Sequence, residues 1–272
     1  MTSLLLLLAT LPAADPLTIA YGADAERNLI DIYQPDRSTP GTRPLLLFVH
    51  GGAWMIGDRS GVHNKTAFTG DGYVVASCNY RLVPSVTVRT QAEDVAAAID
   101  YLLDHADDYT IDPARVVLMG HSAGAHLAAL VATDPAYLAK HDRNPGDLAG
   151  LVLLDGGTYD VSKRVDPASG RSARIVTKAF GTDAAELTAL SPTRYARQHG
   201  APASLIIHIE GRGVSREQST ELVDTIRAAG GTARLYEAAG KTHRSLNVDL
   251  GKPGDDPTEQ VRAFLAAIAL RK

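Results

Sequence analysis

Ser122 lies in Gly120-His121-Ser122-Ala123-Gly124, after the apolar run Val116-Val117-Leu118-Met119 and before the Ala-rich sequence that starts at Ala125. A serine hydroxyl is a weak nucleophile until a base removes its proton. It therefore needs a held position and a histidine within reach. Strand, Gly-x-Ser-x-Gly turn and helix, in that order, predict a nucleophile elbow with the Ser122 hydroxyl pointing out of the top of a sheet. Glycines at 120 and 124 leave room where side chains would meet neighbouring backbone. A five-residue pattern alone is a weak signal, and the rest of the chain decides its weight.

In this topology the base comes late, after the last strand, giving the chain order Ser, acid, His. His243 fits, in Lys241-Thr242-His243, which reads as a loop after the final strand-like segment. His208 falls inside a strand-like run and reads as a structural histidine. His121 and His126 flank the nucleophile and read as support. Acyl transfer also needs N–H donors aimed at the oxygen that gains charge. His50-Gly51-Gly52-Ala53-Trp54 follows an apolar run at residues 45–49. Gly52 and Ala53 are the candidate donors, with Gly51 assisting, and the Ala123 N–H joins them from the elbow.

These groups need a scaffold. Residues 17–21 and 29–33 read as an antiparallel pair of strands, the second with alternating exposure. Residues 45–49, 73–77, 116–119, 151–154, 204–209 and 233–236 read as further strands. Helical spacing covers 90–105, the segment after the elbow, 217–229 and 259–270. Strands alternating with helices predict an α/β class with a mostly parallel sheet covered on both faces. Such sheets bind ligands outside the carboxyl ends of their strands. His50-Gly51-Gly52, Ser122, Asp155 and His243 all follow strand ends, so they can meet on one rim. Residues from about 158 to 200 lack the alternation and read as a small cap-like insertion.

Composition excludes other classes. The chain has 272 residues, 45% hydrophobic and 21% charged, ordinary for a globular protein with a sizeable core. A net charge of -4 without a Lys/Arg run argues against nucleic acid as a partner. The single cysteine, Cys78, permits no intrachain disulfide and reads as a small buried hydrophobe. No His-Glu-x-x-His pattern or zinc-ligand spacing occurs, so no metal is expected. At the N-terminus, five leucines at 4–8 and Pro12-Ala13-Ala14 read as the core and processing site of a signal peptide over residues 1–14, although no Lys or Arg precedes them. That reading places the protein in the periplasm or outside the cell; without it, the expectation is cytoplasmic. The leucine run is too short to span a bilayer.

Taken together, His50-Gly51-Gly52-Ala53-Trp54, Asn79-Tyr80-Arg81-Leu82 with Pro84, Asp94 and the Ser122 elbow resemble the α/β-hydrolase fold esterases. The nearest group contains hormone-sensitive-lipase-type carboxylesterases and arylformamidases. The resemblance covers about residues 17 to 270, and 15–272 is expected to form one hydrolase domain. It implies a Ser-acid-His hydrolase without a cofactor, cleaving small carboxylic esters through an acyl-enzyme on Ser122. Arylformamidase activity, the hydrolysis of N-formylkynurenine-type amides, is the alternative. Few aromatics (6%) and a modest cap favour small, soluble esters. The chain departs from this group at the acid. Relatives carry His-Gly-x-x-Asp after the seventh strand, whereas here the segment reads His208-Ile209-Glu210-Gly211-Arg212. Asp155, directly after the sixth strand, ranks first as the replacement. Glu210 ranks second, and Asp249, Asp255 and Asp256 near His243 follow. Arg212 at the vacated position also raises a third reading, a binding protein on a degenerate hydrolase scaffold.

Overall fold

The computed structural model describes residues 15–35, 41–164 and 170–269. The expected signal segment at 1–14 lies outside the described residues. Eight strands form one sheet: β1 (Leu17–Ala20), β2 (Leu29–Tyr33), β3 (Arg43–Val49), β4 (Val74–Cys78), β5 (Ile111–His121), β6 (Leu148–Leu154), β7 (Ser204–Ile209) and β8 (Ala233–Ala238). Their order is β1-β2-β4-β3-β5-β6-β7-β8. The pairs β1/β2 and β2/β4 are antiparallel. Every other neighbouring pair is parallel. This is the α/β-hydrolase fold, with strand order crossing over around β3 and β4.

The helices are α1 (Val88–Asp104), α2 (Ala123–Thr133), α3 (Pro135–Ala139), α4 (Arg171–Phe180), α5 (Ala184–Ala189), α6 (Pro192–His199), α7 (Gly213–Ala228), α8 (His243–Asp249) and α9 (Asp256–Ala269). Residues on successive positions of a strand face opposite sides, and the two cores follow that period. Leu45, Leu47 and Val49 of β3 pack with Ile99, Leu127 and Leu222 from α1, α2 and α7. Leu46 and Phe48 point the other way, onto Phe68, Leu246 and Val261. Both faces are dry, which is why β3 and its neighbours are continuous apolar runs. No described helix is long and apolar enough to cross a membrane.

Between β6 and β7 the chain forms a 3-10 turn at Val161–Arg164 and then α4, α5 and α6. Val176 of α4 is on the wall of the cleft described below. Ala196 of α6 packs into the same core as α2 and α7. The segment thus contributes to the lining of the cleft and to the helical layer.

One sequence expectation needs correction. His243 is not in a loop: it is the first residue of α8, and Thr242 caps that helix by accepting a hydrogen bond from the Ser245 N–H at 3.0 Å. A Thr cap with Ser three residues later resembles a capping box, a signal present in the sequence but obscured by the shortness of the helix.

Candidate active site

The elbow closes because of two close backbone approaches. A Cβ at Gly120 would run into the Gly124 carbonyl, and a Cβ at Gly124 would run into the carbonyl oxygens of Val49 and His50 at the end of β3. Ser122 itself adopts φ 55°, ψ -118°. That region is costly for a residue with a side chain and persists only where the surroundings enforce it. Here the Ser122 N–H donates to the Leu154 carbonyl at 2.9 Å, and α2 begins at the next residue. Asp155, at the end of β6, is also left-handed, with φ 45°, and its N–H donates to the Ile207 carbonyl at 2.7 Å. Sheet register therefore seats both residues side by side on one rim.

Ser122 Oγ lies 3.0 Å from His243 Nε2, and His243 Nδ1 lies 2.6 Å from Asp155 Oδ2. A carboxylate at Nδ1 selects the tautomer that leaves Nε2 free to accept the serine proton. Asp155 is fully buried. Ser215 Oγ donates to its Oδ1 at 2.5 Å, and Arg212 Nη1 donates to Oδ2 at 2.5 Å. Burial works to raise the Asp155 pKa, but the hydrogen bonds from His243 and Ser215 and the Arg212 charge outweigh it and bring it down to about 2. The carboxylate is therefore an anion at neutral pH.

Glu210, the second-ranked acid, is not at the imidazole. It is exposed, and its Oε2 accepts a 3.4 Å hydrogen bond from the Gly240 N–H. The acids near α8 are engaged elsewhere: Asp249 and Asp255 both pair with Lys241, and Asp256 accepts from the Tyr236 hydroxyl. Arg212 stands close to the imidazole, its Nη1 2.8 Å from His243 Nδ1, and it supports Asp155 instead of displacing it.

The upstream loop is held from behind. Gly52 has φ 127°, a conformation in which a Cβ would strike the Ile56 carbonyl. Ala53 and Trp54 are left-handed as well, at φ 53° and 62°. Gln91 of α1 pins the turn by donating to the Trp54 carbonyl at 2.7 Å. The Trp54 indole N–H donates to His126 Nδ1 at 3.3 Å, and His126 Nε2 then donates to the Leu190 carbonyl at 2.8 Å. His50 stacks on Tyr80 with ring centroids 4.3 Å apart, and the Tyr80 hydroxyl donates to the His50 carbonyl at 2.9 Å. Asp94 clamps Arg81, with Nη2 to Oδ1 at 2.6 Å. These contacts explain why the motif residues far from Ser122 occur with it. Gly51, Gly52 and Ala53 line the same cleft as Ser122 and Ala123. The first intrahelical bonds of α2 are made by the Ala125 and His126 N–H groups to the Ser122 carbonyl, so the Ala123 N–H precedes the helical ladder.

His121 supports the base directly. Its Nε2 donates to the His243 carbonyl at 3.0 Å, and the two rings lie 4.6 Å apart. Burial, reinforced by the nearby His243 and Lys65, lowers the His121 pKa to about 3, which keeps it neutral and a single N–H donor. Lys65 is fully buried behind α8 and donates to the Asn247 carbonyl at 2.7 Å and to its Oδ1 at 2.8 Å. Neither Ser215 nor Lys65 carries a local signal of its role. Both act on partners distant in sequence.

The cleft over these groups encloses about 890 Å³. Ile175, Val176 and Val214 supply apolar wall, while Arg164 and Arg244 add charge. Among the described residues no group of three or more His, Cys, Asp or Glu is placed to hold a metal ion. The arrangement suits acyl transfer by nucleophile, base and oriented acid.

Comparison with known proteins agrees with this geometry. A family model described as BD-FAE matches residues 30–226. Esterase LipQ of Mycobacterium tuberculosis is 38% identical over an alignment covering 96% of this chain and 64% of that protein. The isoprenylcysteine alpha-carbonyl methylesterase ICME of Arabidopsis thaliana is 28% identical, covering 84% and 56%. The chain thus spans about half of the length of the first plant methylesterase it matches and about two thirds of LipQ. Esterase B from Lactobacillus rhamnosis superposes with TM-score 0.77 at 22% identity, covering 95% of this chain and 88% of that one. Thermogutta terrifontis esterase 2, phosphoramylated by tabun, gives TM-score 0.76 at 22% identity, covering 94% and 96%.

Proposed function

The chain belongs to the BD-FAE family, and on that premise we propose that it is a serine hydrolase of small carboxylic esters. The observation that carries this reading is the unbroken hydrogen-bonded series Ser122–His243–Asp155 on the wall of one cleft. Ser122 Oγ attacks the ester carbonyl as His243 Nε2 takes its proton. Asp155 stabilises the imidazolium that results. The carbonyl oxygen becomes an oxyanion, received by the N–H groups of Ala123, Gly52 and Ala53, with Gly51 leaving space for its approach. His243 then returns the proton to the departing alcohol, leaving an acyl group on Ser122. Water then attacks the acyl carbonyl as His243 takes its proton, the bond to Ser122 Oγ breaks, and His243 returns the proton to Oγ as the carboxylic acid leaves.

Relatives named as esterases support ester over formyl-amide chemistry, and no observation favours arylformamidase activity. The reading as a binding protein rested on Arg212, and Arg212 here reinforces the acid. The test is turnover of a p-nitrophenyl ester panel and labelling by a fluorophosphonate probe, in wild type and Ser122→Ala. Both activities should vanish in the variant. Labelling that survives in Ser122→Ala would overturn the assignment of the nucleophile.

A further inference from the structure

Arg164 ends the 3-10 turn Val161–Arg164 on the wall of the catalytic cleft. It keeps only 9% of its exposure. Its Nε donates to the Gly157 carbonyl at 2.9 Å and its Nη2 to Ser172 Oγ at 2.8 Å. Both partners are neutral, and among the described residues no carboxylate pairs with it. The cleft's own carboxylates are already matched, Asp155 with Arg212 and Asp58 with Arg27 and Arg59. Desolvation first, and the neighbouring Arg212 second, lower the Arg164 pKa, with Glu217 opposing weakly. A guanidinium nonetheless remains charged, so among the described residues this desolvated cation has no counter-ion, in the cleft that Ser122 also lines. A guanidinium has five N–H donors, and among the described residues two of them are used. The rest can meet the two oxygens of a carboxylate side by side.

We propose that Arg164 is the anchor for a carboxylate carried by the ester substrate, so that the enzyme acts on half-esters and other anionic esters. This rests on the reading of Ser122 as nucleophile given above. Ile175 and Val176 line the same cleft and offer apolar wall to the carbon chain between the two groups. Arg244 adds a further cation to the lining.

The test compares kcat/KM for ethyl hydrogen glutarate with ethyl pentanoate, which probes the acyl side. It also compares 4-acetoxybenzoate with 4-acetoxybenzamide, which probes the alcohol side. In wild type the anionic member of at least one pair should be preferred by about tenfold or more, the worth of a charge-assisted hydrogen bond. Arg164→Gln should bring that ratio close to one. A wild-type ratio near one in both pairs, or a ratio unchanged by Arg164→Gln, overturns the proposal. Calorimetric binding of glutarate against glutaramide supplies a readout independent of turnover. Wild type should bind glutarate more tightly, and equal binding overturns the proposal even if Arg164→Gln does not fold. Failure of the hydrolase reading shows separately, as loss of all ester turnover and of Ser122 labelling.

Discussion

Arg212 Nη1 and His243 Nδ1 lie 2.8 Å apart and converge on the same oxygen of Asp155. A guanidinium nitrogen can only donate. If it donated to Nδ1, the imidazole proton would sit on Nε2 and the ring could not take the serine proton. Asp155 Oδ2, between the two nitrogens, accepts from both and keeps the productive tautomer. The arginine is thus tolerable next to the base only because the buried carboxylate comes from β6.

Asp155→Asn should lower kcat by about 10⁴ with the fold retained, since an amide cannot select the tautomer or balance the imidazolium. Glu210→Gln should leave kcat within about twofold, because an exposed side chain away from the reacting groups contributes little. Steady-state kinetics with circular dichroism checks both. A dead Glu210→Gln beside an active Asp155→Asn would reverse the assignment of the acid.

The depressed Asp155 pKa has its own signature. A carboxyl lowered from 3.8 to about 2 on folding contributes stability that is present above pH 3.8 and is lost as pH falls through 2. The difference in unfolding free energy between wild type and Asp155→Asn should therefore be flat above about pH 5 and shrink below about pH 4. Acid titration of unfolding by urea measures it, and a difference that stays constant down to pH 2 would contradict the shift.

Arg212→Met should cost kcat about tenfold and change KM for a neutral ester by less than about threefold. The guanidinium is 38% exposed, so screening limits its contribution. Ser215 and His243 still donate to the carboxylate in its absence. A loss as large as that of Asp155→Asn would show that Arg212 is indispensable to the acid.

Lys65 is a buried amine whose pKa desolvation lowers from 10.5 to about 7. Between those values the unfolded chain binds a proton that the folded protein does not. Stability should thus rise with pH in that window and be independent of this group below it. Subtracting Lys65→Met from wild type isolates the effect, at up to about 1.4 kcal/mol per pH unit. Denaturant melts at pH 6, 8 and 9.5 read it directly, and parallel curves for the two proteins would refute it.

Gly124→Ala should destabilise the fold by about 1–3 kcal/mol or more and abolish turnover. The added methyl would enter the space of the Val49 and His50 carbonyls, and Ser122 would be displaced with the start of α2. Thermal melting and fluorophosphonate labelling report the two effects independently.

Local chemistry carries far in this chain. The elbow, the His-Gly-Gly turn and the apolar periods of the central strands are written within windows of five to fifteen residues, because strand–turn–helix geometry and glycine requirements are local. They determine the parallel sheet, the rim on which the site sits and the serine. What they do not carry is which acid stands behind His243. Asp155 and His243 are 88 positions apart, and Asp155 and Ser215 are 60. Their meeting depends on the β5-β6-β7 register and on where α7 and α8 begin. The same holds for Arg212, visible in the sequence only as a departure from relatives. Its role was decided by the tertiary structure, because a charge gains meaning from the groups it faces in a desolvated space, and those come from distant strands.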